Sequence, residues 1–143
     1  MRLSPLLLQM SKETKTIKQS EFFPSVKPKE IYDAFLDSKK HSAMTGGKAI
    51  ADSHVGGKFT AWDGYISGTN LELEDGKRIV QTWETTEWPE GAGPSQLEWT
   101  LVEKDGGTEV TMVHSQVPAS QSESYRTGWL DYYWTPMKSY FQK

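Results

Sequence analysis

The amino-acid sequence predicts an α+β domain in which a curved antiparallel sheet of six to seven strands is wrapped around a long C-terminal helix. Three observations support this prediction. Apolar and polar residues alternate between turn dipeptides in the middle of the chain, which is typical of a meandering antiparallel sheet. A helical pattern follows the first apolar run. Near the C-terminal end, bulky apolar side chains recur every four residues, the spacing of one helix face.

The first strand is predicted at 14–23, where β-branched and aromatic residues precede a proline. Two short helices are predicted after this strand. Pro28 stands at a helix start, Glu30 lies in the first turn, and Ile31, Ala34 and Phe35 follow at helical spacing. A second helical segment is expected to end at Met44.

Turn residues divide the middle of the chain into short segments with a period of two. Asp75-Gly76 is the strongest hairpin signal, because both residue types tolerate the positive φ that a type I′ turn requires. We therefore predict a succession of antiparallel strands. They lie near 48–52, 58–63, 65–74, 77–86, 95–104 and 107–117.

The last two predicted strands show one face to a core and the other to water. The inward residues are Leu97, Trp99 and Leu101 in one strand and Val110, Met112 and His114 in the next. Polar residues stand between most of them, as expected for a sheet that is covered on one side.

The C-terminal segment is predicted to be a helix that lies across the sheet. Ser120 and Glu123 have the spacing of a capping box. Pro136 lies within the helix and cannot donate to the carbonyl of residue 132, so we expect the helix to bend or loosen there. The apolar stripe must be buried to be stable. It consists of Tyr125, Trp129, Tyr133, Met137 and Phe141.

Size and composition limit the classes of protein to consider. The 143 residues suit one domain, predicted at 14–143 after a flexible tail at 1–13 whose broken apolar patch is too short for a secretory signal. A net charge of −3 gives no basic face for nucleic acid, and no apolar run is long enough to cross a membrane. The chain has no cysteine, which suits a reducing compartment, and a cytoplasmic location is expected.

Catalytic and metal-binding motifs are not predicted. Gly56, Gly57 and Lys58 lack the earlier glycine and the following hydroxyl of a phosphate-binding loop, so they are interpreted as the entry to a strand. The three histidines lack metal-ligand spacing, and no GxSxG motif occurs. We expect a non-catalytic binding domain with no cofactor and no metal.

Aromatic residues are in excess, with six Trp and six Tyr. A cavity between sheet and helix lined by such side chains would accept an apolar ligand. His114 is either a polar anchor in this cavity or a core histidine with its hydrogen bonds satisfied. The candidate cavity residues are Phe59, Trp83, Trp99, Met112, His114, Trp129, Tyr133 and Met137.

Alternating charges surround the predicted hairpin at Asp75-Gly76. They are either a solvated surface or a docking patch for a protein partner. The candidate partner-binding residues are Glu72, Glu74, Asp75, Lys77 and Arg78.

Four segments in order resemble one family. They are "GGKFTAWDGYISG" (56–68), "RIVQTWETTEWPEG" (78–91), "GGTEVTMVHSQVP" (106–118) and "GWLDYYWTPMKSYF" (128–141). The chain is similar, from about residue 16 to 141, to the activator of heat-shock protein 90 ATPase homologues, which belong to the START-like, helix-grip superfamily. The resemblance implies the helix-grip fold, and it implies binding to a heat-shock protein 90 type chaperone in the stress response.

Two functions are therefore expected as alternatives. In the first, the chain is a stand-alone co-chaperone-like module that binds heat-shock protein 90 and modulates its ATPase, because only a short tail precedes the first strand. In the second, it is a carrier or sensor of a hydrophobic small molecule held between sheet and helix. An enzyme that uses the same cavity is the weaker third alternative.

Overall fold

The computed structural model describes residues 13–142, so residues 1–12 of the predicted tail lie outside the described residues. Six strands form one antiparallel sheet in the order β1-β6-β5-β4-β3-β2. The chain leaves β1 at one edge, crosses through two short helices to the far edge, and returns by hairpins. The strands are β1 (Thr14–Phe23), β2 (Lys58–Ala61), β3 (Ile66–Glu74), β4 (Arg78–Thr85), β5 (Ser95–Lys104) and β6 (Gly107–Pro118).

The two predicted short helices are present as α1 (Pro28–Leu36) and α2 (Ser38–Thr45). The Glu30 carboxylate accepts the Lys27 backbone N–H at 2.8 Å, which satisfies a donor at the start of α1. Asp37 accepts the backbone N–H of Lys40 at 2.8 Å and so caps α2.

The C-terminal helix is continuous but changes its winding. It comprises α3 (Ser122–Trp129), a π-helical segment (Leu130–Trp134) and α4 (Thr135–Phe141). Within the π segment, the Thr135 N–H donates to the Leu130 carbonyl, five residues earlier. The widened turn immediately precedes Pro136, which has no N–H to donate, and the predicted loosening is thereby confirmed.

The predicted apolar stripe faces the sheet. Tyr125, Trp129, Tyr133 and Met137 are buried, and Phe141 is half-buried. The predicted capping box is wrong, because a 3-10 turn at Ala119–Gln121 precedes the helix and Gln121 occupies the cap position. Ser122 instead bonds back to the Ala119 carbonyl at 3.1 Å.

Trp99 lies at the centre of the core. Its ring centroid is 4.5 Å from that of Phe35 on α1 and 5.5 Å from that of Trp129 on α3. The ring of Trp134 is 5.6 Å away on the other side. The inward faces predicted for β5 and β6 are confirmed, since all six predicted inward residues are buried.

The strand predicted at 48–52 is wrong apart from a single bridge between Ile50 and Thr60. Beyond this bridge the chain is diverted by a side chain of β3. The Asn70 amide donates to the carbonyls of Asp52 (2.7 Å) and His54 (3.0 Å). These bonds, with that of the Gly57 N–H to the His54 carbonyl at 3.0 Å, hold the segment as a loop against β3.

The two Asp-Gly turns differ from the prediction. At Asp75-Gly76 only the glycine has a positive φ (69°), and three residues separate the paired Glu74 and Arg78, so the type I′ assignment is wrong. Asp105 (46°) and Gly106 (76°) both have positive φ, between the paired Lys104 and Gly107. The two-residue turn with both φ values positive therefore lies between β5 and β6.

No helix within residues 13–142 has both the length and the apolar character needed to cross a membrane.

Candidate functional site

A cavity of about 600 Å³ opens between the sheet and the C-terminal helix. Strands β3 and β4 form one wall and helix α3 with the π segment forms the other. Its volume is within the range of small-molecule sites. The lining residues are Trp62, Tyr65, Ile66, Trp83, Glu87, Gln121, Ser124, Tyr125, Gly128, Trp129, Tyr132 and Tyr133.

The candidate cavity residues from the sequence separate into three groups. Trp83, Trp129 and Tyr133 line the cavity. Phe59 and Trp99, together with these three, border a void of only about 10 Å³ deeper in the core, too small for a ligand. The rest, Met112, His114 and Met137, are fully buried and line neither space.

Both ring nitrogens of His114 are hydrogen-bonded within the core. Its Nδ1 accepts the Trp129 Nε1–H at 3.1 Å. Ser95 donates its hydroxyl hydrogen to the Trp83 carbonyl at 2.6 Å, so its oxygen must accept the His114 Nε2–H at 2.8 Å. The ring is therefore neutral, and burial lowers its pKa to about 3. His114 is a satisfied core histidine, so it cannot anchor a ligand without breaking one of these bonds.

A second buried histidine was not identified from the sequence. His41 of α2 donates Nδ1–H to the Phe35 carbonyl at 3.0 Å and accepts the Tyr133 hydroxyl hydrogen at Nε2, at 2.8 Å. Burial lowers the pKa of His41 and raises that of Tyr133. Both groups are neutral near pH 7, and the bond joins α2 to the π segment across 92 residues of sequence.

Polar groups are concentrated at the mouth of the cavity. The Tyr65 hydroxyl donates to the Glu87 carboxylate at 2.5 Å, and burial together with this bond raises the pKa of Tyr65. Tyr125 donates to Gln121 at 2.8 Å, and its oxygen lies 2.7 Å from the Thr85 hydroxyl. The mouth is thus polar and structured, whereas the interior is aromatic.

Trp62 combines three unusual features at the cavity wall. Its φ is +51°, a conformation that a bulky residue rarely adopts. Its Nε1–H is buried and has no hydrogen-bond partner among residues 13–142. Its ring also lies where a Cβ at Gly47 would be, 2.4 Å from Cε3. Such strain and an unpaired donor are concentrated at functional sites, and neither could be identified from the sequence.

The charged hairpin is largely paired within itself. Arg78 bonds Glu72 at 2.9 Å and Glu98 at 2.5 Å, and it lies 3.9 Å from Glu74. Asp75 bonds Lys29 of α1 at 3.0 Å. The acidic side chains on this hairpin nevertheless stay exposed, so they remain accessible to a partner.

The described part of the chain offers no arrangement of metal ligands. Within residues 13–142, no three His, Asp or Glu side chains lie close enough together to hold a metal ion. Both buried histidines are neutral and have both ring nitrogens bonded within the protein.

Comparison with known proteins gives consistent matches. The family model described as Activator of Hsp90 ATPase homolog 1-like protein matches residues 25–142. A human protein, Activator of 90 kDa heat shock protein ATPase homolog 1, is 35% identical over 114 residues, which is 80% of this chain and 33% of that protein. A Dictyostelium discoideum homologue is 35% identical over 117 residues, or 81% of this chain and 30% of that protein. The chain thus spans about a third of the length of these curated relatives.

Two solved structures share the fold. An HSP90 activator from Plasmodium falciparum superposes with a TM-score of 0.76 at 24% identity, over 89% of this chain and 94% of that chain. The Aha1 dimer from Colwellia psychrerythraea has a TM-score of 0.70 at 16% identity, over 82% of this chain and 90% of that chain. The helix-grip architecture expected from the sequence is confirmed.

Proposed function

Since this chain belongs to the family of Activator of Hsp90 ATPase homolog 1-like proteins, we propose that it binds a chaperone of the heat-shock protein 90 type and modulates that chaperone's ATPase. One observation carries the proposal, namely the family match over residues 25–142 together with 35% identity to the human activator. The cytoplasmic location and the role in the stress response are part of the same proposal.

The proposed mechanism is a shift of the chaperone's conformational equilibrium. This chain performs no chemistry and supplies binding energy. If it binds the ATP-hydrolysing conformation of the chaperone more tightly than the other conformations, it raises the population of that conformation. The shift cannot exceed the ratio of the two affinities, so a tenfold preference changes the equilibrium at most tenfold.

The proposal is tested by titrating the chain into the heat-shock protein 90 of the source organism. An inhibitor of the chaperone's ATP site measures the background hydrolysis, which is subtracted. We expect a saturable change in the ATPase rate and a complex in calorimetry. If neither is found at high micromolar concentration, the proposal is rejected.

The β3–β4 hairpin is the docking surface that we propose for this partner. Exposed carboxylates favour the encounter with a basic surface. Replacing them therefore changes mainly the rate at which the complex forms. Asp75 has 72% of its side chain exposed and Glu74 has 59%, so both can change without disturbing the core.

Reversing both charges, with Glu74→Lys and Asp75→Lys, is expected to weaken the chaperone complex about fivefold at low salt. The loss should shrink as salt screens the charges. Calorimetry at two salt concentrations measures it. The matched control is Glu90→Lys, an exposed carboxylate in the loop after β4, at the other end of the sheet. Because the control reverses one charge and the variant reverses two, a control loss of half the variant's loss in binding free energy would show that overall charge, not this hairpin, governs the complex.

A second candidate function is favoured by the cavity. We propose that this space of about 600 Å³ holds a hydrophobic small molecule. The aromatic lining and the strained backbone of Trp62 on the cavity wall support this proposal. Because the cavity and the charged hairpin share no residue, the two functions can be tested separately.

Gly128 allows the cavity to be blocked from the helix side. An added Cβ would lie 3.8 Å from Tyr132, an ordinary contact, so Gly128→Ala should stabilise the helix by about 0.5–1 kcal/mol. The larger Gly128→Leu adds four carbons at the cavity wall and should reduce the fluorescence gain of Nile red, which Gly128→Ala retains. Dye binding that is unchanged in Gly128→Leu would place the dye elsewhere on the protein.

A further inference from the structure

The cavity contains one charged side chain, and it is acidic. Glu87 is the only Asp, Glu, Lys, Arg or His in the described cavity lining. Tyr65, Tyr125 and Tyr133 of the wall are neutral near pH 7, since burial raises their pKa further above the ordinary tyrosine pKa of about 10. An anionic ligand would therefore find no cation in this lining and would be repelled by the carboxylate.

Glu87 is held in place at the mouth of the cavity. Its Oε2 accepts the Tyr65 hydroxyl hydrogen, its backbone N–H donates to Thr85 at 3.2 Å, and its carbonyl accepts from Gln121 at 2.7 Å. These bonds join the end of β4 to the start of the C-terminal helix. Its other carboxylate oxygen has no hydrogen bond to any residue within 13–142, so it can accept one from a ligand.

Aromatic rings form most of the remaining wall. The centroids of Trp83 and Trp129 are 5.5 Å apart with their planes at 40°, and Trp129 lies 5.0 Å from Tyr133. Near the entrance, Trp62 packs edge-on against Tyr132 at 5.2 Å. Ring faces attract cations, Trp most strongly, and such clusters commonly recognise organic ammonium groups.

We propose that the cavity takes an apolar amine, with its ammonium group against Glu87 and its apolar body against the exposed edges of Trp83 and Trp129 on the cavity wall. This inference rests on the second candidate function, the binding of a small molecule, and it specifies the chemical class. The carboxylate supplies the charge-assisted hydrogen bond, and the rings supply both apolar contact and cation–π attraction. Chaperone binding is independent of it.

The test compares three probes that share one apolar body, namely phenylbutylamine, phenylbutanol and phenylbutyrate. Isothermal calorimetry at pH 7 should rank the amine about three to ten times tighter than the alcohol, and the carboxylate weakest of the three. The comparison uses the unaltered chain, so it does not depend on the folding of a variant.

Glu87→Gln removes the charge and keeps an oxygen that accepts from Tyr65. It should lower the affinity for the amine towards that for the alcohol, since only the cation–π attraction of the rings remains, and raise the affinity for the carboxylate. Glu90→Gln, an exposed neighbour outside the cavity lining, is the matched control and should change none of the three. Because Glu87 is itself exposed, both variants should melt at the wild-type temperature.

The possible outcomes separate this inference from the function on which it rests. Equal affinities for the amine and the alcohol, unaffected by Glu87→Gln, would overturn the amine assignment and leave small-molecule binding intact. Preference for the carboxylate would overturn the assignment in the same way. If none of the three probes binds and Nile red does not bind either, both the inference and the second candidate function are rejected.

Discussion

Replacing Gly68 with alanine is expected to destabilise the protein by about 3 kcal/mol or more, a large part of the stability of a domain of this size. An added Cβ would lie 1.9 Å from the Thr82 carbonyl oxygen and 2.6 Å from the ring of Phe59. A side chain could rotate away, but the carbonyl belongs to the backbone of β4. It can move only if β3 and β4 separate, so the strain cannot be relieved locally.

Urea unfolding followed by tryptophan fluorescence measures this effect. Gly93→Ala is the matched control, because an added Cβ there meets no atom within 4 Å and the φ of Gly93 is not positive. We expect a much lower urea midpoint for Gly68→Ala and a midpoint within error of wild type for Gly93→Ala. Equal midpoints would mean that β3 and β4 are more loosely paired than the structure shows.

Much of the fold could be predicted because its determinants are local. The alternation of Leu97, Trp99 and Leu101 is set by the two-residue period of a strand, and the four-residue spacing of Trp129 and Tyr133 by the turn of a helix. Pro136 affects winding through its own missing N–H. In each case the residues that decide the structure lie close together in the sequence.

The predictions that proved wrong concern segments whose backbone conformation depends on residues distant in the sequence. The segment near 48–52 has the composition of a strand, but the Asn70 amide takes the carbonyls of Asp52 and His54. The two Asp-Gly dipeptides are identical in sequence and adopt different turns. At Asp75 the carboxylate bonds Lys29, 46 residues away, a contact that local turn chemistry does not include.

The candidate site was predicted only in part for the same reason. The sequence indicates that Trp83, Trp129 and Met112 face inward, but it does not show which side of the core is left unfilled. That depends on how the C-terminal helix is placed over the sheet. The consequence is that Trp83 and Trp129 line the cavity while Met112 lies in solid packing.

Two cavity features depend on conformation more than on residue type. Trp62 was not identified because nothing in the sequence specifies its positive φ or its unpaired N–H. Glu87 is an ordinary surface carboxylate in the sequence, and it becomes part of the site through the Tyr65 hydroxyl and the Gln121 amide. The function proposed for the cavity therefore rests on the structure, whereas chaperone binding rests on the family match.

Acidification is expected to destabilise the fold through its buried histidines. Burial lowers the pKa of His114 to about 3, and it also lowers the pKa of His41, whereas an unfolded histidine titrates near 6.5. Between these values the unfolded chain binds a proton that the folded chain does not, so stability falls as the pH drops below 6.5. From pH 7 to pH 5, His114 alone should cost about 2 kcal/mol.

Variants at two histidines separate this effect from the titration of carboxylates. His114→Gln removes the titrating ring, and its amide can still accept from Trp129 and donate to Ser95. The fall in unfolding free energy between pH 7 and pH 5, measured in urea, should shrink by about 2 kcal/mol in this variant. It should persist unchanged in His54→Gln, which removes an imidazole whose side chain is 84% exposed. The slope is the decisive quantity, because packing losses in His114→Gln lower stability at both pH values alike. If unfolding free energy falls between pH 7 and pH 5 as much in His114→Gln as in the wild type, His114 must bind a proton in the folded protein. That result would contradict the hydrogen bonds of its two ring nitrogens with Trp129 and Ser95.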